Sequence, residues 1–91
     1  MSDRHPEWAD ASIMLLGLRH RIGTVDWPAR RELTAKLRLL HDRKHDLQRR
    51  EVGYRRTRKV PPGYWIEVSG WFEDLEYLDN EITWAMLSKR G

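Results

Sequence analysis

The sequence predicts an all-α fold: a three-helix antiparallel bundle with a short basic β-hairpin or irregular arm between the second and third helices. In three segments, apolar residues recur at intervals of three and four, which is the period of one helix face. Between the second and third segments, Pro61-Pro62-Gly63 interrupts that period. The chain has 91 residues, enough for one domain with a modest core, and we assign residues 1–91 to it.

The first helix is expected over about residues 7–22. One apolar stripe runs along it at spacings of three and four, formed by Trp8, Ala11, Leu15, Leu18 and Ile22. Gly23 then suits a helix C-terminus. Ile13, Met14 and Leu16 are apolar but lie off the stripe. The sequence therefore predicts a central position for this helix or a place in an oligomer interface, with Met14 as a candidate interface residue.

The second helix is expected over about residues 27–52. Asp26 can accept hydrogen bonds from the free amides of a helix N-terminus, and Pro28 is tolerated in the first turn. A strict four-three spacing predicts a heptad-like seam of Leu33, Leu37, Leu40, Lys44, Leu47, Glu51 and Tyr54. Seven basic residues lie from Arg30 to Arg49 against three acids, so the outer face is expected to be positive.

Residues 53–69 lack a helical pattern, and they are expected to form the hairpin or arm. Pro61-Pro62 would break a helix, and Pro62-Gly63 suits the corners of a type II turn. The third helix is then expected over about residues 70–89, with Ser69 as a plausible N-cap. Its inward stripe is Trp71, Leu75, Leu78, Ile82 and Met86. Tyr77 and Trp84 lie on the opposite face, either under another element or as anchors of a homodimer or partner interface.

Charge is unevenly distributed along the chain. Residues 1–60 hold 15 Lys and Arg against 8 Asp and Glu, a net +7, whereas residues 61–91 hold 2 against 6, a net −4. The densest basic cluster adjoins aromatic residues, a combination that suits an anionic, stackable partner such as nucleic acid. The candidate binding residues are Arg49, Arg50, Arg55, Arg56, Arg58, Lys59, Tyr54, Tyr64 and Trp65. Alternatively, these cations pair internally with the acidic third helix.

A helix-turn-helix built from the first two helices is a further alternative. The second helix would then read the major groove through Arg30, Arg31, Arg38 and His45. Groove readers make their base contacts near the helix N-terminus, and here the basic residues are spread along the whole helix. The short turn fits an antiparallel helical hairpin equally well.

Neither a metal site nor an enzyme is expected. His41 and His45 have the four-residue spacing that can share a metal, but Arg43 and Lys44 between them disfavour a divalent cation. The chain has no cysteine, no nucleophile elbow and no phosphate-binding glycine loop. Carboxylates of the third helix are expected to be its solvated face. We therefore predict no metal, no cofactor and no catalysis.

The sequence favours a small binding or regulatory protein that engages nucleic acid or a nucleoprotein complex through the basic arm and the second helix. The alternative is a protein–protein interaction module, or a phage-type inhibitor of a host protein, that acts through exposed aromatic anchors as a homodimer or on an acidic protein surface. The longest apolar run, from Ile13 to Leu16, is four residues, against about 20 for a membrane span. The N-terminus also lacks a signal-peptide pattern, so we expect a cytoplasmic protein without a membrane partner.

Overall fold

The computed structural model describes residues 8–88, which form three helices. These are α1 (Trp8–Ile22), α2 (Trp27–Thr57) and α3 (Pro62–Ser88). None of the described residues lies in a strand. The prediction of an all-α fold with three helices is confirmed. Residues 7 and 89, at the expected outer ends of the first and third helices, lie outside the described residues.

The β-hairpin or irregular arm expected over residues 53–69 is not confirmed, because most of these residues are helical. Helix α2 continues through Gly53 to Thr57, and α3 already begins at Pro62. Proline fits the first turn of a helix, where its missing N–H would have no acceptor in any case. Ser69 consequently lies inside α3 and is not its N-cap. The break in helical structure is limited to residues 58–61.

The ends of α2 differ in how they are capped. Asp26 precedes the helix in an extended conformation, but its side chain makes no capping hydrogen bond, contrary to the expectation. At the other end, Arg58 has a positive φ of 60°, the left-handed conformation that usually requires glycine. The next amide, of Lys59, donates to the Tyr54 carbonyl at 3.2 Å. This bond closes the last turn, so α2 stops although its sequence stays basic and polar.

The core is one continuous seam in which each helix contributes residues at alternating spacings of three and four. The buried members are Ala11, Leu15, Leu18 and Ile22 of α1; Leu33, Leu37, Leu40, Lys44, Leu47 and Glu51 of α2; and Tyr64, Val68, Trp71, Leu75, Leu78 and Ile82 of α3. Trp8, Tyr54 and Met86 of the expected stripes are partly buried. The Trp71 side chain is completely buried, and its indole Nε1 donates to the Leu40 carbonyl at 2.8 Å. The periodicity therefore predicted the core, and α3 extends the pattern back to Tyr64.

Contacts between the helices follow a regular order. Those between α2 and α3 occur in opposite order along the two helices: Lys36 with Glu81, Arg43 with Asp74, and Arg50 with Glu67. Between α1 and α3 the order is the same in both helices, with Trp8 against Trp71 and Arg21 against Asp79. The molecule is a rod of 53 × 22 × 20 Å. Across residues 8–88, no helix combines the length and the apolar content that a bilayer crossing requires.

Candidate functional site

Two of the six cations in the predicted binding cluster are held by acids of the bundle. Arg50 donates to both carboxylate oxygens of Glu67, at 3.1 and 2.8 Å, and to Asp46 at 3.2 Å. The hydrogen bond to Glu67 raises the pKa of Arg50, and the same bond lowers the pKa of Glu67. Arg50 therefore joins α2 to α3.

Arg55 compensates a carboxylate in the core. Its Nε and Nη2 donate to Glu51 Oε2 at 3.0 and 2.6 Å. The other oxygen of Glu51 accepts the Trp8 indole N–H at 2.8 Å. The Glu51 side chain is only 8% exposed, and a buried carboxylate is strongly destabilising without such partners. Arg55 and Trp8 therefore hold together the end of the bundle where the seam contains an acid.

The remaining four cations of the cluster are exposed: Arg49, Arg56, Arg58 and Lys59. None of them forms an ion pair with another of the described residues. The cluster is therefore divided between residues that stabilise the bundle and residues that face solvent.

The aromatic part of the predicted site mostly belongs to the core. Tyr64 is 2% exposed, and its hydroxyl donates to the Leu47 carbonyl at 2.7 Å. Burial, with a smaller contribution from the charge of Glu51, raises the pKa of the Tyr64 hydroxyl to about 12. The half-buried rings of Tyr54 and Trp65 pack edge-on against it, with centroids 5.2 and 4.9 Å away. Tyr64 thus has no free ring face on which a base could stack.

Exposed arginines, with one histidine among them, continue along α2 as what we call the basic stripe: Arg31, Arg38, His45, Arg49 and Arg56. At 3.6 residues per turn these five residues fall within about 60° around the helix axis, and they extend over about 38 Å. Their side chains are exposed, and none has an ion pair within residues 8–88. Asp42 is the one acid within the same sector. The stripe ends next to Arg58 and Lys59.

The opposite set of α2 cations forms what we call the ion-pair ladder. Lys36, Arg43 and Arg50 are seven residues apart and meet Glu81, Asp74 and Glu67, which are also seven apart. The paired atoms are each 2.8 Å apart. Helical geometry places the ladder about 140° around α2 from the basic stripe. The matching seven-residue spacing was the sequence signal that could have identified these pairs.

The three candidate interface residues lie on the surface. Tyr77 is 71% exposed, Trp84 is 69% exposed and Met14 is 40% exposed. Tyr77 and Trp84 lie two turns apart on α3, and Leu87, 63% exposed, follows one turn later. The outer face of α3 therefore carries an apolar stripe, whereas Met14 lies on α1.

The two histidines of α2 lie edge to face, with ring centroids 4.6 Å apart. Within residues 8–88, no group of three or more histidine or carboxylate side chains is arranged to hold a metal ion. Both histidine side chains are exposed.

A groove between α1 and α2 was not predicted. Its volume is about 500 Å³, and Leu15, Ile22 and Leu37 provide much of its apolar wall. Among the residues that line it, the charged ones are all basic or histidine: Arg19, Arg38, His41 and Lys44. In the sequence, Lys44 stands out only as a polar residue in the seam, and nothing there indicates that a groove opens beside it.

Comparison of the chain with protein-family models, with curated proteins and with solved structures gives no match.

Proposed function

We propose that this chain is a non-enzymatic protein that binds nucleic acid through the basic stripe of α2 together with Arg58 and Lys59. The observation that carries the proposal is the division of the α2 cations. Those facing α3 are paired, whereas those of the basic stripe are exposed and have no ion pair among residues 8–88. A linear array of exposed cations attracts a polyanion and releases its condensed counterions on binding.

The arrangement of the stripe favours contacts with phosphates. We infer from the reversed order of the α2–α3 ion pairs that the bundle is antiparallel, with the acidic α3 covering one side of α2 only. The stripe extends over about 38 Å, close to one turn of B-DNA at about 34–36 Å. Cations spread over this length suit contacts with successive phosphates of the nucleic acid. Such contacts position a protein without reading the bases. Because Tyr64 is buried, its ring is not available for stacking on a base.

Salt dependence of binding tests this proposal. We expect the wild-type chain to bind a fluorescent duplex at low salt, with an affinity that falls steeply as salt is added. The double variant Arg49→Ala with Arg56→Ala removes two phosphate contacts, so the slope of log K against log salt should decrease by about 1.8. Fluorescence anisotropy at several salt concentrations measures both quantities.

The matched control removes the same charge from the other side of α2. Lys36→Met with Arg43→Met should leave the slope close to wild type, because these side chains already pair with Glu81 and Asp74. Equal slopes for the two double variants would contradict the stripe as the binding surface. Absence of binding to duplex DNA, duplex RNA and single strands at low salt would remove the proposal altogether.

The outer face of α3 supports a second candidate function, association with a protein or with a second copy of the chain. Tyr77 and Trp84 are about 70% exposed, and aromatic residues are preferred anchors of interfaces. Sedimentation equilibrium should then show a dimer that Trp84→Ala weakens, with little dependence on salt. A monomer at all concentrations would restrict this candidate to a heterologous partner.

A further inference from the structure

The groove between α1 and α2 contains a buried cation that lacks an acidic partner. Lys44 is 6% exposed in an otherwise largely apolar seam. Its ammonium donates to the neutral amide oxygen of Gln48 at 3.0 Å, and no carboxylate among residues 8–88 forms an ion pair with it. Burial of an ammonium is unfavourable unless an opposite charge compensates it. The position is therefore suited to an anion supplied from outside the chain.

The groove beside Lys44 has the dimensions of a small-molecule site. Its volume of about 500 Å³ lies within the range of about 300–1,000 Å³ that is usual for ligand pockets. Ser12 and Thr34 line it, and their short side chains leave room where longer residues of two packed helices would meet. Leu15 and Leu37 give it an apolar surface against which a hydrocarbon or aromatic group would be buried.

Lys44 lies at the end of the groove that is further from the loop between α1 and α2. The short loop from Ile22 to Trp27 brings the end of α1 beside the start of α2, whereas Trp8 contacts Glu51 at the other end. Along this pair of helices, Ile22 and Thr34 therefore lie nearer the loop, and Ser12 and Lys44 lie further from it. From Lys44 the apolar side chains of Leu15, Leu37 and Ile22 extend towards the loop, where Arg19 also lies, which suits a ligand with one charged end at Lys44 and an apolar chain.

We propose that this groove binds a small amphipathic carboxylate, with its carboxylate at Lys44 and its apolar chain along Leu15 and Leu37. Arg19 and Arg38 at the groove add positive charge, and the lining contains no acid. Lys44 is the one buried cation in this lining, so a single carboxylate matches it, while the exposed Arg19 and Arg38 stay hydrated. The site is distinct from the nucleic-acid surface proposed above, although Arg38 belongs to both.

The test compares three probes of equal chain length: octanoate, octanol and octylammonium. Calorimetric titration should show that octanoate binds about tenfold or more tightly than octanol, since a charge-assisted hydrogen bond is worth that factor, and that octylammonium does not bind. Methyl shifts of Leu15 and Leu37 in the NMR spectrum should follow the octanoate titration. Equal binding of octanol and octanoate, or no binding of octanoate, would overturn the proposal.

Two variants and one control locate the site. Lys44→Met keeps the length of the side chain and should remove the preference for octanoate over octanol, while Thr34→Trp should obstruct the groove and weaken binding of both. Arg56→Met lies outside the groove and should leave octanoate binding unchanged while weakening nucleic-acid binding. If Lys44→Met only stabilises the fold and octanoate affinity is unaltered, Lys44 is a structural residue and the proposal fails. Absence of nucleic-acid binding by the wild-type chain, with octanoate binding retained, would contradict the proposed nucleic-acid surface and not the carboxylate site.

Discussion

The two sides of α2 carry the same kinds of residue in different environments. On the side facing α3, Lys36, Arg43 and Arg50 form the ion-pair ladder. About 140° away around the axis, the arginines of the basic stripe are exposed and have no ion pair within residues 8–88. The difference arises from the position of α3, because both sets recur at helical spacing and have the same local composition. Charge density along a sequence therefore does not identify which cations can meet a partner.

The same contrast appears between neighbours near the end of α2. Arg55 and Arg56 are adjacent in sequence, yet one binds the buried carboxylate of Glu51 and the other belongs to the exposed stripe. The ladder contributes modestly to stability, because its side chains are about half exposed and water screens such pairs. The seam of leucines and aromatic residues is what holds the helices together.

The largest effect on stability is expected when Trp71, which anchors α3 against α2, is truncated. Trp71→Ala removes a completely buried ring and its hydrogen bond to the Leu40 carbonyl, which should lower the free energy of unfolding by about 3–5 kcal/mol. Urea denaturation followed by circular dichroism measures this loss. Trp84→Ala is the control, and its 69% exposed ring should change stability by only about 0.5 kcal/mol or less. Comparable losses in the two variants would mean that Trp71 is not the anchor of α3.

The adjacent arginines give the second prediction. Arg55→Met removes two hydrogen bonds to the buried Glu51 carboxylate, so stability should fall by about 1–3 kcal/mol. Arg56→Met removes an exposed side chain, and stability should change by about 0.5 kcal/mol or less while the affinity for nucleic acid falls. Thermal melts and anisotropy titrations on both variants separate the two roles. An equal loss of stability in both would show that the division of the cluster is wrong.

The third prediction concerns Tyr64, which the sequence predicts as a binding residue and which the structure places in the core. Burial raises the pKa of the Tyr64 hydroxyl from its ordinary value of 10.0 to about 12, so the folded state keeps this proton at pH values where the unfolded state loses it. The contribution of the Tyr64 hydroxyl to the free energy of unfolding is fully present below pH 10 and declines as the pH rises towards 12. Urea denaturation at increasing pH should show the decline, and Tyr64→Phe should reduce it. An unchanged slope in Tyr64→Phe would indicate that this hydroxyl ionises as freely as in the unfolded chain.

The smallest effect is expected where the basic stripe meets the loop. Arg58 has a φ of 60°, a conformation that glycine adopts without steric cost, so Arg58→Gly should raise stability by about 0.5–1 kcal/mol. Arg56→Gly places the same residue inside α2 and should lower stability by about 1 kcal/mol. Melting temperatures under identical conditions compare the two. A destabilised Arg58→Gly would show that its side chain contributes more than its backbone strain costs.

Proline explains the main difference between the predicted and the observed fold. The pair Pro61-Pro62 predicts a break, and a break is present, but it covers only residues 58–61. A proline can end one helix or begin the next, and the outcome depends on whether the residues that follow it can bury apolar side chains as a helix. Here Tyr64 and Val68 continue the seam of α3, and their burial favours helix from Pro62 onwards. In a single sequence, the same aromatic residues after the prolines suit an exposed arm equally well.

By itself, the sequence determined that the chain is helical, where the three apolar seams lie and that basic residues concentrate on the second helix. These properties follow from local periodicity, since a residue's position around a helix axis depends only on spacing. The tertiary structure decided which cations are paired, that Tyr64 lies in the core and that a groove opens beside Lys44. These properties depend on which helix lies against which face, and that is set by packing between residues far apart in the chain.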